Sequence, residues 1–156
     1  MTTADASVAH RFARAFNSGE VDQVLEVFTE DVIYHDLFYG RVEGREKLGE
    51  MFSRVYAQGT YHRWTMTNAT VGSRSTMCEW DFQLTLSDAV ARGAGRTLRY
   101  PGASVFDTRD GRCHAYREYF DRTAALLAAG IAPSSVAAIV ARRPTIDLTL
   151  PEDRPR

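Results

Sequence analysis

At Gly59 the hydrophobic pattern changes period, and that change restricts the chain to folds in which helices come first and a run of strands comes after. Before it, apolar side chains recur at helical spacing: Val8, Ala9, Phe12, Ala13, Ala15 and Phe16, then Val21, Val24, Leu25 and Phe28, then Leu48, Met51, Phe52 and Val55. The stop signal Asn17-Ser-Gly19 divides the first two stretches and predicts an α-hairpin over residues 6–28. Residues 32–39 read as a strand, and residues 44–56 as a third helix. After Gly59 come four β-rich runs, 61–71, 76–86, 97–106 and 112–120, divided by Gly72-Ser73, a polar loop over 88–95 and Asp110-Gly111. An Asp-Gly pair between two such runs is a strong hairpin signal. Residues 123–129 and 134–142 are Ala-rich and helical, and Pro144, Pro151 and Pro155 break up the C-terminal tail. Residues 1–132 therefore read as one α+β domain with an extension over 133–156, in which a curved sheet wraps around three helices.

With 156 residues, 44% of them apolar, one core is expected. The 19 basic and 20 acidic side chains nearly cancel, so charge gives no reason to expect nucleic acid or an anionic membrane as partner. Cys78 and Cys113 stand in no paired spacing, which fits two reduced thiols in a cytoplasmic protein better than a disulfide framework or a zinc site. The first residues lack the basic and apolar regions of an export signal, and no stretch approaches the roughly 18 apolar residues of a membrane span.

Two distant segments carry the most chemistry, Asp31-Val-Ile-Tyr-His-Asp36 and the run from Asp110 to Asp121. Each reads as a strand with a carboxylate among aromatic and apolar neighbours. Desolvation makes an isolated charge costly there and raises its pKa, so such a carboxylate is paired, protonated or chemically employed. Asp36 and Glu118 are accordingly the first candidates for acid–base work. Alternation puts His114, Tyr116 and Phe120 on the face of Glu118, and Cys113, Ala115, Arg117 and Tyr119 on the other. The competing readings are a Glu118 paired with Arg99 or Arg117, an Asp36 that caps a turn, and a Tyr34 whose hydroxyl is satisfied in the core. His35 alternates away from Tyr34 and Asp36. The histidines have no metal-ligand spacing, and neither a phosphate-binding loop nor a serine nucleophile elbow is present, so no metal and no cofactor is called for.

The element order, together with Asp31-Val-Ile-Tyr-His-Asp36, Gly40-Arg-Val-Glu-Gly44-Arg45 and Tyr116-Arg-Glu-Tyr-Phe-Asp121, resembles the SnoaL-like proteins of the nuclear transport factor two-like superfamily over about residues 6–129. The resemblance implies a cone-shaped α+β barrel, or cystatin-like roll, with three N-terminal helices packed in a mainly antiparallel sheet. It implies no single reaction, because this superfamily hosts isomerases, dehydratases, cyclases, epoxide hydrolases and non-catalytic binders.

By motif the resemblance is strongest to limonene-epoxide-hydrolase-like enzymes. It implies that Glu118 activates water with Asp36 and Tyr34, and that Asp81 protonates the leaving oxygen. Their Arg-x-Asp pair is matched by Glu79-Trp-Asp81, with Glu in place of Arg. SnoaL-type cyclases also look as if their catalytic Asp falls at Glu118. Alternation along residues 77–86 puts Glu79, Asp81, Gln83 and Thr85 on one face and Cys78, Trp80, Phe82, Leu84 and Leu86 on the other. Either the polar face meets water, or, as the resemblance implies, it turns into the cavity and the apolar face makes a homodimer. The combined expectation is a cavity lined by Phe16, Tyr34, Phe52, Trp64 and Tyr116, with Glu79 and His114 also at the substrate. Its ligand is an apolar, oxygenated small molecule, and its chemistry is acid–base epoxide opening. A cyclase or ketosteroid-isomerase-like proton transfer is the alternative within the same chemistry; a non-catalytic binding or partner-stabilising role is the alternative outside it.

Overall fold

The computed structural model describes residues 7–142, and the proline-containing tail of the extension lies outside them. The chain begins with α1 (Val8–Ser18), started by Ser7, whose hydroxyl accepts the His10 N–H, and stopped by Gly19 in the left-handed conformation at φ 80°. Next come α2 (Val21–Leu25), β1 (Phe28–Asp36), β2 (Gly40–Glu43) and α3 (Arg45–Ala57). The strands β3 (Gly59–Val71), β4 (Ser75–Leu86), β5 (Thr97–Arg109) and β6 (Arg112–Tyr119) are next in order, and α4 (Arg122–Ala128) and α5 (Pro133–Ala141) end the described chain.

The six strands form one curved sheet in the order β2-β1-β6-β5-β4-β3. Every neighbouring pair is antiparallel except β1 and β6, which run parallel with Tyr34 opposite Tyr116. This is the expected mainly antiparallel α+β cone, with α1 and α3 packed inside the curve. Three local differences stand against the sequence reading. The second helix ends at Leu25, and Phe28 belongs to β1. Residues 40–43 form a short edge strand that the Gly-rich pattern there conceals. In β6, Cys113 pairs with Thr108 and Ala115 with Asp107, so His114 is an extra residue and the alternation slips at that point.

Aromatic rings pack around Phe12 of α1, which meets Phe16, Phe28, Phe52, Trp64, Phe106 and Tyr116 at centroid distances of 4.9 to 6.2 Å. The inward residues of β5 include Gly102, and Trp80 of β4 lies across it. A Cβ at Gly102 would stand 2.2 Å from the Trp80 ring. A methyl group there has to push aside a ring that is itself 2% exposed. Gly102→Ala is therefore expected to cost about 1–3 kcal/mol of stability, read as a lower urea midpoint at unchanged m-value.

Candidate active site

A cavity of about 310 Å³ lies between α3, α4 and the sheet. Its wall is apolar over most of its extent, with Phe16, Phe52, Trp64, Trp80, Phe82 and Leu98 among the contributors. The carboxyl groups in that wall are Asp36, at the end of β1, and Glu118, at the end of β6. The parallel register brings them together: Tyr34 faces Tyr116 and His35 faces Arg117, so the next step along both strands sets Asp36 beside Glu118.

The two carboxyls are hydrogen-bonded to each other. Asp36 Oδ1 accepts the backbone N–H groups of Phe38 (2.6 Å) and Tyr39 (2.7 Å), an arrangement that caps the turn into β2 and favours the ionised form. Glu118 is 3% exposed. Burial first, and then the neighbouring Asp36, push its pKa well above the usual carboxylate range, while the Leu37 N–H (3.2 Å to Oε1) and the Tyr116 hydroxyl (2.9 Å to Oε2) pull it back. Burial and the neighbouring carboxyl thus favour the neutral form of Glu118, while the two backbone N–H bonds favour the ionised form of Asp36.

Phenols surround the pair. Tyr34 and Tyr116 stack at 4.1 Å with 17° between their planes, and their hydroxyls are hydrogen-bonded. Tyr100 of β5 lines the cavity, stacked on Phe120 at 4.9 Å, and its hydroxyl has no hydrogen-bond partner among the described residues. Burial, then the charges of Glu118 and Asp36, hold it well above its ordinary value of 10.0, so it stays a neutral donor. Tyr39 donates to Gln58 Oε1 at 2.7 Å on the side of α3. Arg122 of α4 donates to the Leu37 carbonyl (2.8 Å) and reaches the Val140 carbonyl of α5 (3.4 Å).

Of the residues singled out from sequence, Asp36, Glu118, Tyr34, Phe16, Phe52 and Trp64 all line this cavity. Tyr116 is 1% exposed and stands behind Glu118 rather than in the wall. Asp81 and Glu79 are not at the site. The apolar face of β4, with Trp80, Phe82, Leu84 and Leu86, turns inward and lines the cavity, so it is not available to a dimer interface. Asp81 projects from the opposite face, where both its oxygens take the Nε–H of Arg99 (3.1 and 2.9 Å). Arg117, also on that side, pairs with Asp107, so neither arginine reaches Glu118. His114 sits at the bulge and does not line the cavity. Tyr100 is the functional candidate that sequence reasoning missed; its even spacing from Ser104 and Gly102 along β5 is the signal that could have found it. Among the described residues no group of three or more His, Cys, Asp or Glu side chains could hold a metal ion, and no helix is long and apolar enough to cross a membrane.

The model of the SnoaL-like domain matches residues 9–127, and the chain belongs to that family. Its fold recurs in solved structures of low identity. A Catenulispora acidiphila protein with a ketosteroid isomerase-like fold, solved in complex with trimethylamine, superposes with a TM-score of 0.71 at 20% identity, over 81% of this chain and 95% of that one. A limonene-epoxide-hydrolase-like epoxide hydrolase of Mycobacterium tuberculosis gives 0.66 at 18%, over 90% and 98%. A Xanthomonas campestris protein provisionally named a polyketide cyclase gives 0.66 at 21%, over 78% and 93%. No curated protein matches the chain.

The buried pair has a consequence for stability. Folding raises the proton affinity of Glu118 above its ordinary 4.5, so the contribution of this group is fully favourable below that pH and is lost as pH rises toward its folded pKa. Glu118→Gln removes the loss. Its urea midpoint is expected to gain on that of the wild type from about pH 4.5 upward and to level off once Glu118 ionises in the folded chain.

Proposed function

We propose that the protein catalyses proton transfer next to a carbonyl of an apolar small molecule, without a cofactor, in an isomerisation or an aldol-type ring closure. The observation that carries this reading is the hydrogen-bonded pair of Asp36 and Glu118 set together in an apolar wall. The Asp36 carboxylate takes a proton from the carbon beside the carbonyl. The electrons of that C–H bond become the new C=C bond, and the carbonyl oxygen receives the proton of Glu118. The product is an enol, with Asp36 now protonated and Glu118 ionised. Reversal with the proton returned to a different carbon gives isomerisation; in cyclisation the enol carbon bonds to a second carbonyl carbon, whose oxygen takes the proton from Asp36 while the enol oxygen returns its proton to Glu118 and becomes a carbonyl again. Tyr100, with its unpartnered hydroxyl, holds the reacting oxygen. The apolar walls favour a carbon skeleton of two or three fused rings or an equivalent chain, and displacement of water from them strengthens each polar contact at the pair.

Epoxide opening is supported less well. Attack by water and protonation of the departing oxygen need groups on opposite sides of the epoxide, and Asp36 and Glu118 stand together on one side. Asp81, the residue the sequence suggested for the far side, is paired with Arg99 outside the cavity.

The test is hydrogen–deuterium exchange at the α-carbon of bicyclic and polycyclic ketones in heavy water. Wild type is expected to catalyse it. Asp36→Asn and Glu118→Gln should each lose at least about 10²-fold in kcat while still binding the ketone, and Tyr100→Phe about 10-fold or more. Asp81→Asn is expected to stay within about twofold of wild type. Hydration of terpene epoxides that Asp81→Asn abolishes would instead return the assignment to an epoxide hydrolase.

A further inference from the structure

Behind Glu118 a chain of hydrogen bonds that the acid–base step does not itself use runs to Trp80, farther along the cavity wall. Trp80 Nε1 lies 2.7 Å from Ser104 Oγ, Ser104 Oγ 2.8 Å from Tyr116 Oη, and Tyr116 Oη 2.9 Å from Glu118 Oε2. All four side chains are at most 3% exposed. The sheet register builds the chain: Ser104 of β5 pairs with Glu118 of β6, while Trp80 of β4 pairs with Gly102 and can lie across it to reach Ser104 because that position has no side chain.

The direction of the chain is set at its two ends. An indole N–H can only donate, so Ser104 Oγ accepts from Trp80; Tyr116 gives its single proton to Glu118 Oε2, so in the bond between Ser104 and Tyr116 the serine is the donor. Tyr116 Oη, receiving the Ser104 proton, directs its own at Glu118 Oε2. A donor aimed in this way is worth most when Glu118 carries charge. We propose that Ser104 and Trp80 are positioning residues that lock Tyr116 as a donor to Glu118, so that Glu118 gives up its proton more readily during the reaction.

The groups facing Glu118 are Tyr116 on β6, Asp36 and Tyr34 on β1, and Tyr100 on β5, while Arg122 of α4 reaches the adjacent Leu37 carbonyl. Of these only Tyr116 is oriented by the buried chain. Deleting the Ser104 hydroxyl frees Tyr116 to turn its proton toward Tyr34, and the anionic form of Glu118 loses its aimed donor. The role in catalysis rests on the proton-transfer reading of the site; the hydrogen-bond chain itself does not.

The experiment is an NMR titration over about pH 4 to 10, tracking the carboxyl carbon of Glu118 and the two indole N–H resonances. In the wild type the Trp80 indole proton is expected to move with the same midpoint as Glu118, while that of Trp64, whose Nε1 has no partner among the described residues, serves as the reference. In Ser104→Ala the Glu118 midpoint should rise by about half to one pH unit, and in Tyr116→Phe by more. Ser104→Thr, which keeps a hydroxyl, should fall closer to the wild type. With a ketone that the wild type exchanges, Ser104→Ala should lower kcat about 10-fold with KM held within about twofold. A Trp80 resonance that ignores the ionisation of Glu118, or a Ser104→Ala midpoint within about 0.2 unit of wild type, would overturn the proposal. If Ser104→Ala does not fold, the wild-type co-titration decides alone. Co-titration in a protein that exchanges no ketone would remove the proton-transfer reading and leave the chain standing, whereas ketone exchange with a flat Trp80 resonance would do the reverse.

Discussion

The parallel register of β1 on β6 is the constraint on which the candidate site depends. It is the sheet's one parallel pairing among the described strands, and it joins an early strand to the last one. A shift of a single residue would turn Asp36 or Glu118 to the outer face and separate them. The register is held from inside by the Tyr34–Tyr116 stack and from above by Leu37, whose N–H bonds Glu118 and whose carbonyl takes Arg122. The closeness of the two carboxyls is thus built into the sheet and does not rely on flexible side chains.

That closeness is costly, and the rest of the site compensates for it. Ionising both acids in an apolar wall is costly, and the protein supplies donors to each: backbone N–H groups to Asp36, a backbone N–H and a phenol to Glu118. The same absence of water that raises the proton affinity of Glu118 makes each aimed hydrogen bond stronger than it would be at the surface. Of the rings packed around Phe12, those of Phe16, Phe52 and Trp64 also line the cavity into which the carboxyls are set.

Much of the fold was legible in the sequence, because helical and strand periodicities are properties of the local chain. The helices of residues 8–18 and 45–57 and the four late strands fall close to their expected places. The site was legible only in part. Asp36 and Glu118 could be suspected from their apolar and aromatic surroundings, which carry the desolvation argument with them. Asp81 could not be placed, since alternation along β4 separates two faces without saying which one turns inward. The apolar face did, as the ordinary hydrophobic rule favours, and a charged partner on β5 took up Asp81. His114 was displaced by a one-residue bulge that leaves no mark in composition.

The sequence by itself determined the order of helices and strands, the apolar stripes that face one core, and the presence of carboxylates where solvation would be poor. These depend on residues near one another along the chain. Only the tertiary structure decided which carboxylates meet, which phenol is left without a partner, and that Trp80, Ser104 and Tyr116 form one line ending at Glu118. Those contacts join residues far apart in the chain, and hydrogen bonds depend on distances of a few tenths of an ångström that sheet register and side-chain packing set and local pattern does not encode.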